Sequence, residues 1–497
     1  MSNTNFSKKI QRALISVYYK DGIDTIAKLL SDNNIEIVST GGTYDYIKGL
    51  GYEVTTIENI TGYPSILGGR VKTLHPKVFG GILSRRDKDS DIKEVAEYDI
   101  PNIDLVIVDL YPFEEYVAAG ASEQEIIEKI DIGGISLIRA AAKNFKDVII
   151  VPSKEYYPQI IDILENKDCT SSLEDRRMFA SYAFRTSSHY DTQIFRYFDS
   201  SALRYGENPQ QKASIYGGKE SMPKQLHGKE ISYNNLLDIE AAIELIADFN
   251  QTTVAILKHN NACGCACRPS LLEAWNEALS CDPISAFGGI IITNVEVDAA
   301  TAEEMHKLFF EVVIAPSYSE EALTILKQKK NRIILVHTSQ GLTPEKFRSM
   351  LGGVLVQERD TKVESSEDLN FRTSHKASEK DIEDLIFANI LVKHSKSNAI
   401  VLAKDLKLLA SGIGQTSRVD ALNQAIDKAN RFSFDLTNAV MASDAFFPFP
   451  DCVEIAHKAG INSVIHPGGS IKDQDSIDYC EKAGIAMATT GNRHFKH

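Results

Sequence analysis

Hydrophobic positions along the chain fall into two regimes. Short solid apolar runs, bounded by polar or Gly/Pro punctuation, alternate with longer stretches of helical spacing. Residues 12–17 form the first run, and Lys20-Asp21-Gly22 then opens a helix that extends through Leu30. Ile35 to Val38 is a second strand, after which Ser39-Thr40-Gly41-Gly42-Thr43 turns into a helix carrying Tyr44 and Ile47. Asp104 to Leu110, closed by Pro112, predicts a central strand buried on both faces. Ile130-Asp131-Ile132-Gly133-Gly134 is a turn that opens a helix over Ser136 to Asn144, and Val148 to Val151 is again a strand. Strands alternating with helices to about residue 160 predict a doubly wound parallel sheet.

A helical region continues to Phe198, and Asp199-Ser200-Ser201 reads as a hinge, which predicts domains over 1–199 and 200–497. In the second domain Ser232 to Asp238 opens a helix reaching Phe249, and Val254-Ala255-Ile256-Leu257 is a buried strand. That strand ends on Lys258-His259-Asn260-Asn261, with loop or helix-start residues expected at Ala262-Cys263-Gly264. Glu358 to Ser378 is a polar connector, Asn398 to Leu402 another strand, and Ser411 to Arg418 a Gly-rich loop. Ser443 to Phe449 echoes the earlier Asp282-Pro283-Ile284-Ser285-Ala286-Phe287. The order predicts a duplicated α/β/α unit, with subdomains over roughly 200–360 and 375–497.

Composition narrows the function classes. With 497 residues, 43% of them hydrophobic and 25% charged, the chain has the make-up of a multi-domain globular enzyme. A net charge of −14 argues against non-specific nucleic-acid binding and against an anionic membrane surface, so anionic substrates need locally focused cations. Met1 to Lys20 lacks the pattern of a signal peptide and no apolar run approaches membrane-spanning length, which points to the cytoplasm. Seven cysteines, an odd number, read as free thiols. Cys263, Cys265 and Cys267 lack a second pair at zinc spacing, so no metal is expected there.

Three stretches carry candidate chemistry. Thr40 to Thr43 places glycines and hydroxyls at a helix N-terminus, where backbone N–H groups and the helix dipole suit a phosphate. Gly68-Gly69-Arg70-Val71-Lys72-Thr73-Leu74-His75-Pro76 puts two cations at alternate positions after a glycine pair, a pattern fit for an anionic, heteroatom-rich ligand. Lys258-His259 aims a cation and a base at one strand end.

These stretches join Leu110-Tyr111-Pro112-Phe113, Ile130 to Gly134, Arg139 to Asn144, Leu203 to Pro209, Ser285 to Gly289 and Asp444 to Phe449 in a fixed order. The ordered set resembles the bifunctional family in which phosphoribosylaminoimidazolecarboxamide (AICAR) formyltransferase is fused to IMP cyclohydrolase, and the resemblance spans essentially the whole chain. It implies a methylglyoxal-synthase-like cyclohydrolase domain, then a transformylase of two cytidine-deaminase-like subdomains that dimerises. The implied reactions are formyl transfer from 10-formyltetrahydrofolate to the 5-amino group of AICAR, then dehydrative closure of formyl-AICAR to IMP, with no catalytic metal. By the same resemblance Lys20, Thr40, Gly41, Gly42 and Thr43 hold the phosphate, and Arg70, Lys72 and Thr73 the carboxamide and formyl part. Asp109, Tyr111 and Asp131 complete that site, with Lys143 as proton shuttle. In the second domain Arg204, Tyr205, Asn235, Asn398, Arg418 and Arg493 bind nucleotide or folate. Gly288, Glu311, Phe446 and Asp451 line the same cleft, with Lys258 and His259 at the chemistry.

The chain departs from the family pattern at Tyr18-Tyr19, where Ser-Asp is usual, at Asp109 for Asn, at Gln210 for His and at Ala262 for Pro. Other readings fare worse. A zinc nucleobase deaminase lacks its H-x-E…P-C-x-x-C signature here. A lyase of the first domain's fold leaves the second domain unexplained, and a non-catalytic nucleotide sensor has no use for Lys258-His259.

Overall fold

The computed structural model describes residues 7–218, 221–337, 342–447 and 449–497, so Pro448 of the 444–449 motif lies outside the described residues. The chain divides into two compact units, 1–200 and 201–497.

In the first unit β1 (Arg12–Ser16), α1 (Ile23–Asp32), β2 (Glu36–Ser39), α2 (Gly41–Gly49) and β3 (Thr55–Thr56) follow one another. After three helices, Ile57–Thr61, Pro76–Leu83 and Asp89–Glu97, come β4 (Leu105–Val108), α3 (Gly133–Lys143), β5 (Ile149–Val151) and the long α4 (Leu173–Asp199). The strands are parallel in the order β3-β2-β1-β4-β5. Their apolar run is explained by burial on both sides. Ala13 and Ile15 of β1 pack into one core with Ile23 and Ile26 of α1, while Leu14 between them packs into another with Leu137 and Ile138 of α3. This is the doubly wound sheet expected.

The second unit is built on one twelve-stranded sheet. Its first half contains α5 (Tyr233–Ile246), β6 (Thr253–Lys258), β7 (Asn261–Cys267), α6 (Leu271–Cys281), β8 (Ile290–Thr293), β9 (Val312–Ala315) and β10 (Ile333–Val336). Its second half repeats the plan with α7 (Glu379–Lys393), β11 (Ile400–Lys404), β12 (Lys407–Gly412), α8 (Arg418–Arg431), β13 (Val440–Ser443), α9 (Asp451–Lys458), β14 (Ser463–His466) and β15 (Ala486–Thr489). The order is β10-β9-β8-β6-β7-β12-β11-β13-β14-β15, with short strands Lys224–His227 and Asn370–Phe371 at the two edges. Each half is an antiparallel hairpin, a third strand antiparallel to it, and two further parallel strands. The halves meet through β7 and β12, where Ala266 pairs with Lys407.

Two sequence expectations change. The residues after Lys258-His259-Asn260 are neither loop nor helix start but strand β7, because His259 and Asn260 both adopt positive φ (52° and 64°) and close a two-residue hairpin. Asn tolerates that conformation well, whereas His is unusual in it. The two aromatic turns are also not counterparts: Ser285 to Gly289 precedes β8, whereas Asp444 to Phe449 follows the corresponding strand β13.

The true repeat is finer than the sequence shows. Asp405 and Leu406 close the β11–β12 hairpin with the same positive φ (55° and 49°). Asp238 of α5 accepts a hydrogen bond from the Asn260 N–H at 2.6 Å, and Asp384 of α7 accepts from the Leu406 N–H at 2.6 Å. Glycines let the next helix lie close on each hairpin: a Cβ at Gly264 would stand 2.1 Å from the Ala278 carbonyl oxygen, and one at Gly412 1.8 Å from that of Ala421.

Candidate active sites

The C-terminal ends of β1, β2 and β4 border a cavity of about 760 Å³. This is where parallel strands deliver their tips and helix N-termini point inward. Its walls include Lys20, Thr40, Gly41, Gly42, Thr43, Arg70, Lys72, Thr73, Asp109, Tyr111 and Asp131, residues gathered from five separate stretches of sequence.

One end of the cavity is the N-terminus of α2. Thr40 precedes the helix, and its hydroxyl is buried with no hydrogen-bond partner among the described residues. Gly41 has φ 53°, and a Cβ there would lie 3.2 Å from Lys72 Nζ, so the glycine makes room for the ammonium beside the helix end. Lys20 Nζ donates to the Val17 carbonyl, to the Tyr18 carbonyl at 3.1 Å and to Thr43 Oγ1 at 3.2 Å. Burial lowers the Lys20 pKa, and the nearby Asp109 carboxylate offsets part of that effect. An orphan hydroxyl, free helix N–H groups and two ammoniums form a site for a dianionic group.

Asp109 accounts for one departure from the family pattern by way of another. Its buried carboxylate accepts from the Tyr18 N–H and, at 3.0 Å, from the Tyr19 N–H. The usual acid of the Ser-Asp-Lys turn is missing at position 19, and a carboxylate returns to the site from β4's end instead. Burial raises the Asp109 pKa against those two hydrogen bonds.

At the other end Asp131 precedes α3 and accepts from the Gly134 N–H at 2.6 Å. Burial raises its pKa as well, against that hydrogen bond. Gly134 leaves it space, since a Cβ would fall 2.6 Å from Asp131 Oδ2. The Tyr111 phenol is likewise pushed upward, by burial and then by the Asp131 charge. Arg70 is ion-paired with Glu128 on the cavity wall.

Lys143 is not brought to this cavity within the chain. It is the last residue of α3, exposed, and absent from the cavity wall, whereas Gly133 at the helix start lines it. Eleven residues of helix separate those ends by about 15 Å. Conversely Tyr18, Glu128 and Lys129 line the cavity though nothing in the sequence singled them out as binding residues. The available signal was position: they adjoin Lys20 and Asp131.

In the second unit Lys258 and His259 stand at the tip of the β6–β7 hairpin. Lys258 Nζ donates to the Phe287 carbonyl at 2.9 Å, and the exposed His259 occupies the first turn position. Asn261 fixes the turn by donating to the His259 carbonyl at 2.7 Å, and its side-chain oxygen accepts from the Lys396 N–H at 3.0 Å. A cavity of about 370 Å³ opens beside them over the β7–β12 seam, between α6 and α8, and includes Asp282, Gln424 and Lys428.

The other expected residues form two clusters rather than one cleft. Near the starts of β8 and β9, buried Asn235 donates to Glu311 at 3.3 Å and Lys229 donates to the same oxygen at 2.9 Å. Burial opposes the Glu311 charge, but those two donors outweigh it and lower its pKa. Arg204 stacks 4.7 Å from the Tyr205 ring, and Gly288 donates to the Phe309 carbonyl at 2.8 Å. Near the end of β13, Arg418 donates to the fully buried Asp444 at 3.4 Å and lies 6.0 Å from the Phe446 ring and 5.8 Å from that of Phe495. Arg493 covers the other ring contact of Phe495 at 4.4 Å, Asn398 donates to the Gln415 carbonyl, and Asp451 opens α9. The two clusters stand apart from one another, and of their residues Gly288 comes nearest the hairpin tip, since it follows Phe287, whose carbonyl Lys258 binds. The reason is strand order: β6, β7, β12 and β11 intervene between β8 and β13, five strand spacings or roughly 24 Å.

All seven cysteines are free and buried. Cys265 and Cys267 face one core while Cys263 faces another, because a bulge between Ile256 and Leu257 shifts the register of the hairpin. Among the described residues no group of three or more His, Cys, Asp or Glu converges as for a metal, and no helix is long and apolar enough to cross a membrane.

Comparison with known proteins bears on both units. The family model described as AICARFT/IMPCHase bienzyme matches residues 141–428, and one described as an MGS-like domain matches residues 22–136. The chain is 60% identical to a Bifunctional purine biosynthesis protein PurH of Bacteroides thetaiotaomicron, with 99% of each chain covered. Proteins of the same name from Caldicellulosiruptor saccharolyticus and Aquifex aeolicus are 46% and 47% identical, with 98% of this chain and all of theirs covered. On the match to more than half of its length and on relatives that span it from end to end, the chain belongs to the AICARFT/IMPCHase bienzyme family.

Proposed function

We infer that the cavity of the first unit is the site of ring closure and that the Lys258-His259 turn is the centre of formyl transfer. The enzyme itself is bifunctional, an AICAR formyltransferase and IMP cyclohydrolase that carries out the last two steps of purine biosynthesis. Its one-carbon donor is of the folate type, which we take to be 10-formyltetrahydrofolate, acting in the cytoplasm.

The observation that carries the first assignment is the pairing of an anion site at α2 with titratable groups at α3. A nucleotide phosphate bound by Lys20, Lys72 and the α2 N-terminus leaves its base toward Asp131 and Tyr111. Ring closure needs proton transfer and orientation, which the buried Asp131 carboxyl and the Tyr111 phenol supply without a metal. With Lys143 remote from the cavity, Asp131 and Tyr111 carry that role here.

At the second centre the acceptor is an aromatic amine weakened by conjugation to its carboxamide. His259 takes the amine proton as the nitrogen attacks the formyl carbon, and Lys258 stands beside it for the developing oxyanion. The hairpin resolves a geometric difficulty: adjacent residues in a strand point oppositely, but Lys258 ends β6 while His259 turns away in left-handed conformation. General base help is worth about 10²–10⁴ in rate and one oxyanion donor about 3 kcal/mol.

The Arg204–Asn235–Glu311 and Arg418–Asp444–Arg493 clusters are too far apart within one chain to hold one substrate. A homodimer that sets one cluster against the other cluster of a second copy would unite them, and we propose that assembly. The test is an absorbance assay of the wild-type protein for tetrahydrofolate release from 10-formyltetrahydrofolate with AICAR, and for IMP from formyl-AICAR, with mass measured by light scattering. Absence of either reaction removes the corresponding assignment, and full formyl transfer by a strict monomer removes the shared site.

A further inference from the structure

Lys129 lines the first cavity and belongs to none of the stretches that define the site. Its ammonium lies 4.4 Å from the ring centroid of Tyr116, 5.7 Å from that of Tyr18 and 5.9 Å from that of Tyr111. The Tyr18 and Tyr111 rings in turn meet edge to face at 5.8 Å. The backbone beneath is pinned, because buried Tyr190 donates its hydroxyl to the Lys129 carbonyl at 2.5 Å and accepts the Asp131 N–H at 2.9 Å.

Two other cations of this wall are committed, and a third, Lys72, stands beside Gly41 at the α2 end. Lys20 spends its donors on two carbonyls and Thr43, and Arg70 is paired with Glu128. Among the described residues Lys129 makes no ion pair. Aromatic faces hold an ammonium through their quadrupole and partly desolvate it, yet leave it N–H donors to spend on a ligand. A cation so held, two residues from Asp131, stands 5.9 Å from the Tyr111 ring, beside the groups assigned to proton transfer.

We propose that Lys129 is a substrate-binding residue of ring closure whose ammonium donates to the formyl oxygen as that oxygen gains negative charge, and that Tyr18 and Tyr116 are the positioning residues that hold it there. The proposal rests on the reading of this cavity as the cyclisation site. In the step, the carboxamide nitrogen forms a bond to the formyl carbon and the carbonyl pair moves onto oxygen. One proton leaves the carboxamide nitrogen, one leaves the formamido nitrogen, and both depart with the formyl oxygen as water as its bond to carbon breaks. The formyl oxygen gains negative charge on the way, so a donor to it gains strength in the transition state.

Lys129→Met is expected to lower kcat for closure of formyl-AICAR about a hundredfold, with the Kd for IMP changed less than threefold, since IMP no longer carries the formyl oxygen. Lys129→Arg should restore most of the rate, and Tyr116→Phe, which keeps the ring face, should exceed Tyr116→Leu in kcat at equal thermal midpoint. A wild-type kcat in Lys129→Met overturns the proposal, as does an equal loss in kcat and IMP affinity. If Lys20 and Lys72 variants also close the ring normally, the error lies instead in the reading of the cavity.

Discussion

At the scale of single residues the informative positions are those where chemistry and backbone conformation compete. His259 holds left-handed φ at a hairpin corner, where Asn or Gly is the comfortable choice, and Asp238 helps hold that corner by accepting the neighbouring amide. His259→Ala is expected to cut formyl transfer by at least about a hundredfold while closure of supplied formyl-AICAR stays at the wild-type rate. Transfer at the parental rate would remove His259 from the reaction. The identities of these residues were readable beforehand, because Lys258-His259 follows an unmistakable apolar run. Their conformation was not, since a two-residue turn made of His and Asn lacks the Gly that normally announces such a hairpin. Lys129 went unread for a different reason: its value lies in three rings brought to it from positions 18, 111 and 116, which no local window contains.

Among the elements, the parallel strands of the first unit were legible because burial on both faces writes a solid apolar run. The β7 strand was not, because Asn261 to Cys267 is small, mixed and rich in cysteine, and its pairing with β6 decides its state. Lys143 shows the converse, since it shares the helix whose start lines the cavity yet ends that helix on its far side. The segment that carries Arg493 and Phe495 makes a quantitative case. Between them His494, buried, meets Asp360 at 2.6 Å and Glu364 at 3.2 Å. Burial opposes its charge, but the two carboxylates outweigh that and raise its pKa to about 9. A histidine raised in the folded state stabilises fully below its unfolded value near 6.5 and loses that contribution as pH climbs through 9. Wild-type protein should therefore lose roughly 3 kcal/mol between pH 6 and 10 that His494→Gln does not lose, measured by denaturant titration at each pH. Parallel pH curves for the two proteins would refute the assignment.

For the molecule as a whole, the charge of −14 sits uneasily with phosphorylated and carboxylated substrates until the cations are mapped. Lys20, Lys72 and Lys129 converge in one unit, and Lys258, Arg418 and Arg493 belong to the other, so attraction is focused twice within an acidic surface. The two activities should be separable by single substitutions. Arg70→Ala is expected to impair ring closure alone and Arg418→Ala formyl transfer alone, each by roughly 2–4 kcal/mol in kcat/KM. Equal damage to both reactions by either change, in folded protein, would show that the sites are not independent.

The doubled plan of the second unit carries one more consequence, for motion rather than chemistry. On one face of the twelve-stranded sheet a single apolar core runs beneath both α5 and α7, whereas on the other the cores under α6 and α8 are separate. The apolar core is thus continuous along one side of the β7–β12 seam and divided along the other, like the spine and open edge of a book, where the ion pairs Lys428–Asp282 and Lys407–Glu277, both at 2.8 Å, clasp the two halves. Bending about that line splits no apolar core but must open those ion pairs, and it would widen or narrow the cleft beside His259. Amides of Ala266 and Lys407 at the seam should then exchange with solvent sooner than those of β8 and β13, and slower exchange there would mean the covers are glued.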